Sequence, residues 1–116
     1  MPTIINIDAK GKTLGRVGSE TAKALLGKTT TAYRRHLVSD VSVHVTNVSH
    51  LKIDPRKLTG IIYTRYTGHP GGLRKETLAH RTKTKGIETA FRMLVRGMLP
   101  KNKLRDLIMK RLTVTK

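Results

Sequence analysis

Two rhythms of apolar residues alternate along the chain. Thr3-Ile4-Ile5-Asn6-Ile7-Asp8 is short, β-branched and bounded by turn formers, which predicts a buried strand. Ala9-Lys10-Gly11-Lys12 turns the chain. Positions 14, 17, 21, 22, 25 and 26 then form the stripe of an amphipathic helix from Leu14 to Leu26. Arg16, Glu20 and Lys23 share its other face at helical spacing, and Gly27 is a plausible stop. A strand followed by a helix suggests the first half of a βαβ unit.

Thr29 to Ser39 is polar and irregular, with Tyr33-Arg34-Arg35-His36 at its middle. Val41, Val43 and Val45 then alternate with Ser42, His44 and Thr46, the period-two pattern of a strand. Leu51-Lys52-Ile53 reads as a short third strand. Asp54 and Pro55 suit the cap and first position of a helical turn that Gly60 ends. Ile61 to Tyr66 is a further strand, leading into the glycine-rich stretch Thr67 to Gly72. Arg74 to Thr82 is a weak helix candidate, followed by a basic linker over Thr82 to Gly86. Ile87 to Met98 is the strongest helix, with Ile87, Ala90, Phe91, Leu94 and Met98 on one face and Glu88, Arg92 and Arg96 on the other. Gly97 and Pro100 terminate it. Asn102 suits the cap of a last helix with Leu104, Leu107, Ile108 and Leu112 inward, and Thr113-Val114-Thr115 suits an edge strand. Repeats and an interdomain linker are absent from the sequence, so residues 1–116 read as one domain.

Charge gives this scaffold a direction. The 116 residues carry 24 Lys+Arg against 7 Asp+Glu, a formal +17 with pI near 11.1. Most of the excess lies beyond residue 50. The first part therefore reads as scaffold and the second as contact surface. Self-repulsion on this scale asks for a polyanion, and nucleic acid is the commonest. Cysteine is absent, which removes disulfides and thiolate metal sites. No apolar run approaches a membrane span and no leader pattern opens the chain, so a soluble intracellular protein is expected. A long basic amphipathic helix with aromatic anchors is missing too, so no membrane partner is expected.

Candidate chemistry is thin. Gly11-Lys12-Thr13 and Gly27-Lys28-Thr29 each resemble the end of a phosphate-binding P-loop. The Gly required five residues earlier is Asn6 or Ala22, so both fail. His36, His44, His50, His69 and His80 lack metal-ligand spacing. Asp40 could pair with His36, but no nucleophile follows in a recognisable elbow. No enzyme activity, cofactor, metal or small-molecule substrate is expected.

The stretch Arg65 to Lys75 is more informative. Glycines at 68, 71 and 72 with Pro70 exclude a helix or strand interior, and cations flank the turn. Free amides at Gly71-Gly72, rimmed by Arg and Lys, suit a phosphate. An ordinary surface turn is the competing reading. Aromatics are only 3%, too few for a single-strand stacking platform. Helix-turn-helix, zinc-finger and basic-zipper patterns are missing as well. Two outlets remain, DNA compaction and structured RNA. Cations dispersed over loops and helix faces favour RNA.

Several blocks of this sequence occur together in a known family. Ile7-Asp8-Ala9, Leu14-Gly15-Arg16 with Ser19 and Ala22, and Tyr33 with His36 come in order. Asp40, its following valines and Asn47 match less tightly. The specific blocks are Tyr66 with Gly68-His69-Pro70-Gly71-Gly72-Leu73, and Arg96-Gly97-Met98-Leu99-Pro100-Lys101-Asn102-Lys103-Leu104. The sequence resembles the family of the thirteenth large-subunit ribosomal protein, bacterial type. That resemblance implies an α/β fold, three-layer α/β/α with a mainly parallel four-stranded sheet. It implies binding to large-subunit rRNA during subunit assembly, with neighbouring large-subunit ribosomal proteins as further partners and a location in the large subunit, of a cytoplasmic or an organellar ribosome.

Against the family pattern, the segment usual before the first strand and the tail after the last are missing. The loop from Tyr33 to Asp40 is shortened, Arg35 replaces a usual Pro, and Ser49-His50 replaces an acidic-basic pair. The residues expected to touch RNA are Arg34, Arg35, His36, Arg65, His69, Gly71, Gly72, Arg74 and Lys75. From the C-terminal part Lys83, Lys85, Arg96, Lys101, Asn102, Lys103, Arg105, Lys110 and Arg111 join them.

Overall fold

A computed structural model describes residues 3–116. β1 (Thr3–Asp8) runs parallel to β2 (Val41–Thr46), and β2 runs parallel to β5 (Leu112–Val114), so β2 is central. The register places Ile5 beside Val43, and Val43 beside Leu112. Period-two geometry then assigns each face. Ile7, Val43, Val45 and Leu112 are buried, whereas Asn6, His44 and Thr113 are exposed. Helices therefore cover one face of the sheet and leave the other to solvent.

α1 (Leu14–Leu26) forms the crossover between β1 and β2. Its stripe of Val17, Thr21 and Leu25 is fully buried or nearly so. The Thr21 hydroxyl, inside that stripe, donates to the Val17 carbonyl at 2.7 Å and so carries no unpaired polar group into the core. Gly27 adopts φ 76° and donates its N–H to the Ala24 carbonyl, ending the helix as its sequence suggests. α4 (Ile87–Met98) packs on α1 and buries Ala90, Phe91 and Val95. The two helices come so close that a Cβ on Gly18 would lie 2.8 Å from the Leu94 Cδ2. Phe91, with no exposed surface, fills the centre of this layer.

Between β2 and α4 the chain builds a second, smaller sheet. A 3₁₀ turn (Val48–His50) is followed by α2 (Pro55–Gly60), where the Asp54 carboxylate accepts from the Arg56 N–H at 3.0 Å. β3 (Ile62–Tyr66) and β4 (Leu73–Thr77) pair as an antiparallel hairpin. α3 (Leu78–Lys85) follows, capped by the Thr77 hydroxyl. α5 (Arg105–Met109) precedes β5. No helix among the described residues is long and apolar enough to cross a membrane.

The α/β class holds, but the expected four-stranded sheet is replaced by three parallel strands and a separate hairpin, and only one sheet face carries helices. Leu73 to Thr77 is strand and not the start of a helix, because its neighbour β3 supplies the ladder. The expected linker over 82–86 continues α3 as far as Lys85. Leu51 to Ile53 makes only an isolated bridge, Thr13 with Lys52. Leu107 and Met98 lie exposed instead of inward. In α5 the core side is taken by Ile108, with Leu104 half-buried before it, and Leu107 lies on the outer side.

The molecule measures 48 × 35 × 18 Å, with a Cα radius of gyration of 15.4 Å. A compact chain of this length has about 13 Å. The excess reflects a flat body whose hairpin is exposed on both faces toward its tip.

Candidate nucleic-acid interface

The hairpin positions the first cluster. His69-Pro70-Gly71-Gly72 closes with the Gly72 N–H donating to the His69 carbonyl at 2.9 Å. Pro70 sits at the second position and Gly71 at the third, with φ 75°. That is a type II turn, and its third position excludes most side chains. The Gly72 amide is therefore spent within the turn, so the expected pair of free amides shrinks to that of Gly71. Space is also short at Gly72, where the Thr67 hydroxyl and the His69 carbonyl crowd any added Cβ.

The register places Arg65 directly opposite Arg74, and Thr64 opposite Lys75. Like charges facing each other across an antiparallel pair destabilise it. Neither arginine forms an ion pair among the described residues. The base of the hairpin is organised quite differently. Arg81 lies over the Tyr63 ring at 4.5 Å and pairs with the Glu76 carboxylate at 3.0 Å. It also contacts the Met93 sulfur. The hydrogen bond from Arg81 holds the Glu76 carboxyl below its ordinary range, and burial raises the Tyr63 hydroxyl. The Leu78 N–H donates to the Ile61 carbonyl at 3.1 Å, closing the base of the hairpin. A groove of about 490 Å³ runs from this anchored base along the hairpin as far as Arg65 and Arg74, with Glu76, Arg81 and Lys85 also around it.

The second cluster gathers where the parallel strands begin. The Thr29–Ser39 loop enters β2, and the segment from Leu99 through α5 enters β5, so adjacent strands bring the two together. The Val43 N–H bonds the Arg111 carbonyl at 3.0 Å, and the Arg111 guanidinium reaches Asp40 at 3.5 Å. Arg34, Arg35 and Asn102 line one pocket here. His36, Lys101, Lys103 and Lys110 are exposed in the same segments, and Arg105 is half-buried at the start of α5. The Asn102 side-chain carbonyl accepts from the Leu104 N–H at 3.1 Å, so it caps the turn before α5 rather than α5 itself.

The remaining expected residues are scattered on helices. Lys83 and Lys85 occupy the last turn of α3. Arg96, in the last turn of α4, is partly neutralised by Asp106 at 3.3 Å. Asp40 pairs with Arg111, and not with His36 among the described contacts.

Comparison with known proteins matches the sequence to a family. The family model described as ribosomal protein L13 matches residues 2–116. The chain belongs to the ribosomal protein L13 family. Relatives named large ribosomal subunit protein uL13 include that of Thermoanaerobacter pseudethanolicus, 41% identical over 93% of this chain and 75% of its own length. That of Petrotoga mobilis is 41% identical over 93% and 71%, and that of Xylella fastidiosa 37% over 93% and 75%. The two specific blocks of the L13 resemblance fall one on each cluster: Tyr66 to Leu73 forms the hairpin tip, and Arg96 to Leu104 borders the pocket at the strand starts. Sequence reasoning missed Arg81 and Tyr63, the pair that anchors the hairpin. Tyr63 lies on β3 and Arg81 on α3, and only the β3–β4 pairing, which sets Glu76 opposite Tyr63, brings them together.

Proposed function

We propose that this L13-family protein is a structural constituent of the large ribosomal subunit. It holds folded large-subunit rRNA through phosphate contacts and shape, supports subunit assembly and stands beside other large-subunit proteins. The supporting observation is the opposition of Arg65 and Arg74 on an anchored hairpin whose acid, Glu76, is already held by Arg81. An anion between them turns a repulsive pair into a binding site, and an RNA phosphate supplies that anion along a continuous backbone. Ion pairs take up only Lys12, Arg81, Arg96 and Arg111 of the lysines and arginines among the described residues. The rest are available to release counterions from RNA.

Arg34, Arg35, His36, Lys101, Asn102, Lys103, Arg105, Lys110 and Arg111 contact RNA from the strand-start end. Arg65, His69, Gly71, Gly72, Arg74, Lys75, Lys83 and Lys85 do so from the hairpin and α3, and Arg96 from α4. Contact with on the order of 6–10 phosphates predicts about 10³–10⁵-fold weaker binding between roughly 50 and 200 mM salt. The names of the relatives support the assignment to the large subunit.

Sedimentation of a cell extract through a gradient, with the protein tracked by mass spectrometry, tests this reading. Co-migration with the large subunit is expected, and presence only at the top of the gradient overturns it. Competition between duplex DNA and folded rRNA separates it from DNA compaction, and preference for duplex DNA would contradict it.

A further inference from the structure

The pocket at the strand starts differs in character from the rest of the basic surface. Its walls are aliphatic: Leu25 and Leu26 from the end of α1, Leu37 from the loop, and Leu104 before α5. Tyr33 supplies one half-buried aromatic ring. Cations stand around this apolar interior at Lys28, Arg34 and Arg35. Its volume is about 330 Å³, at the small end of the range for ligand cavities.

The surroundings fix its shape. The Ser39 hydroxyl donates to the Leu25 carbonyl at 2.9 Å and ties the loop's return to the end of α1. The Arg34 guanidinium donates to the Tyr33 carbonyl at 3.0 Å. Asn102 uses its side-chain oxygen on the Leu104 N–H, and its amide NH₂ forms no hydrogen bond among the described residues. The pocket thus offers an apolar slot, one ring, one spare amide donor and a cationic rim.

We infer that this pocket takes a single unpaired nucleotide of RNA. Its base stacks against Tyr33 between the leucines, and its flanking phosphates lie on Lys28, Arg34 and Arg35. A nucleotide is the ligand that presents a flat apolar face and an adjacent anion together, and bases splayed from loops and bulges are how proteins commonly read RNA. The scarcity of aromatics forbids a stacking array along a strand, but one base requires only one ring. The inference rests on the proposed RNA-binding function and adds to it the class of RNA element, an extruded base.

Three probes separate the two readings: folded large-subunit rRNA, a single-stranded adenosine hexanucleotide, and an abasic hexanucleotide of equal charge. Binding of the full chain to each is measured by fluorescence anisotropy at matched salt. The adenosine probe should bind roughly tenfold tighter than the abasic one, within the range for one stacked base. Tyr33→Ala should abolish that difference without changing the salt slope, and Tyr33→Phe should keep it. A thermal melt establishes that each variant is folded. Equal binding of the two hexanucleotides by the wild-type chain overturns the inference while rRNA binding still stands. A loss on both probes alike in Tyr33→Ala also overturns it. Failure of all three probes refutes RNA binding itself.

Discussion

Replacing both Arg65 and Arg74 by Gln should move stability and RNA binding in opposite directions. The two side chains face each other across the β3–β4 ladder. Removing a directly opposed like-charge pair relieves on the order of 0.2–1 kcal/mol in the free protein. For a domain of this size that corresponds to a rise in Tm of at most about 4 °C. The same change removes two phosphate contacts. Each contributes roughly 0.7–0.9 to the slope of log affinity against log salt. Taken from a 1 M reference, one such contact is worth about fivefold in affinity near 0.15 M salt, so the double variant should bind roughly twentyfold more weakly. Its slope should flatten by about 1.6. The assay is rRNA binding over a salt series, alongside thermal unfolding of the free protein. An unchanged slope would show that the hairpin tip touches no phosphate. A fall in Tm would show that the arginines support the hairpin and are not held against each other.

Three further changes probe other parts of the structure. Gly71→Val places a β-branched residue at φ 75°, where strain costs about 1–3 kcal/mol. The strain sits at an exposed tip, so rRNA affinity should fall more than Tm does, and equal binding at matched salt would exclude a backbone contact there. Lys110→Ala, at an exposed site, should lower the salt slope by about one contact and leave the melt unchanged; an unchanged slope removes Lys110 from the interface. Phe91→Ala opens a cavity at the centre of the α1–α4 layer and should cost about 3–5 kcal/mol in denaturant unfolding. A loss below about 1 kcal/mol would deny Phe91 its central place in the core.

Glu76 supplies the pH dependence. Arg81 holds its carboxyl below the ordinary 4.5, so the contribution is complete above that value and is lost as pH falls through the lowered one. Thermal melts between neutral and strongly acidic pH should show this acid loss in the wild type and a smaller one in Glu76→Gln. Identical acid limbs would contradict the Arg81–Glu76 pairing.

The elements legible in the sequence are those whose burial is one-sided. β2 alternates because Val41, Val43 and Val45 face helices while His44 and Thr46 face solvent. α1 and α4 each carry a continuous buried stripe. Asp54 with Pro55 announces α2 through local chemistry alone. β4 has no such signature: Leu73-Arg74-Lys75-Glu76-Thr77 is exposed at its first three positions, so neither face imposes alternation. Its strand state comes from pairing with β3, which the residues of β4 alone do not announce. The candidate site divides in the same way. The glycine turn is visible because Pro70 and Gly71 encode a turn type locally. The arginine opposition and the Arg81–Tyr63 stack require the register. The pocket around Tyr33 requires knowing that β2 and β5 are neighbours, which places the loop before one against the segment before the other.

That last point also separates this protein's basic surface from the usual ligand position of its fold class. Open α/β sheets bind ligands outside the carboxyl ends of their strands. Here those ends are tied to one another. The Asn47 side chain, in a left-handed residue, donates to the Asp8 carboxylate at 3.0 Å, which together with the Lys10 N–H lowers the Asp8 pKa. The Gly11 N–H bonds the His50 carbonyl at 3.2 Å, and the Lys52 N–H bonds the Lys12 carbonyl at 2.9 Å. Loops laced to each other have fewer groups left for a ligand. The amino ends carry the opposite arrangement, an apolar pocket with Lys28, Arg34 and Arg35 at its margin and few acids nearby. Sheet chemistry does not choose this end; the charge placed on the connecting loops does. The RNA site proposed above lies where the strands begin and along the hairpin, away from the carboxyl ends that the fold class alone would suggest.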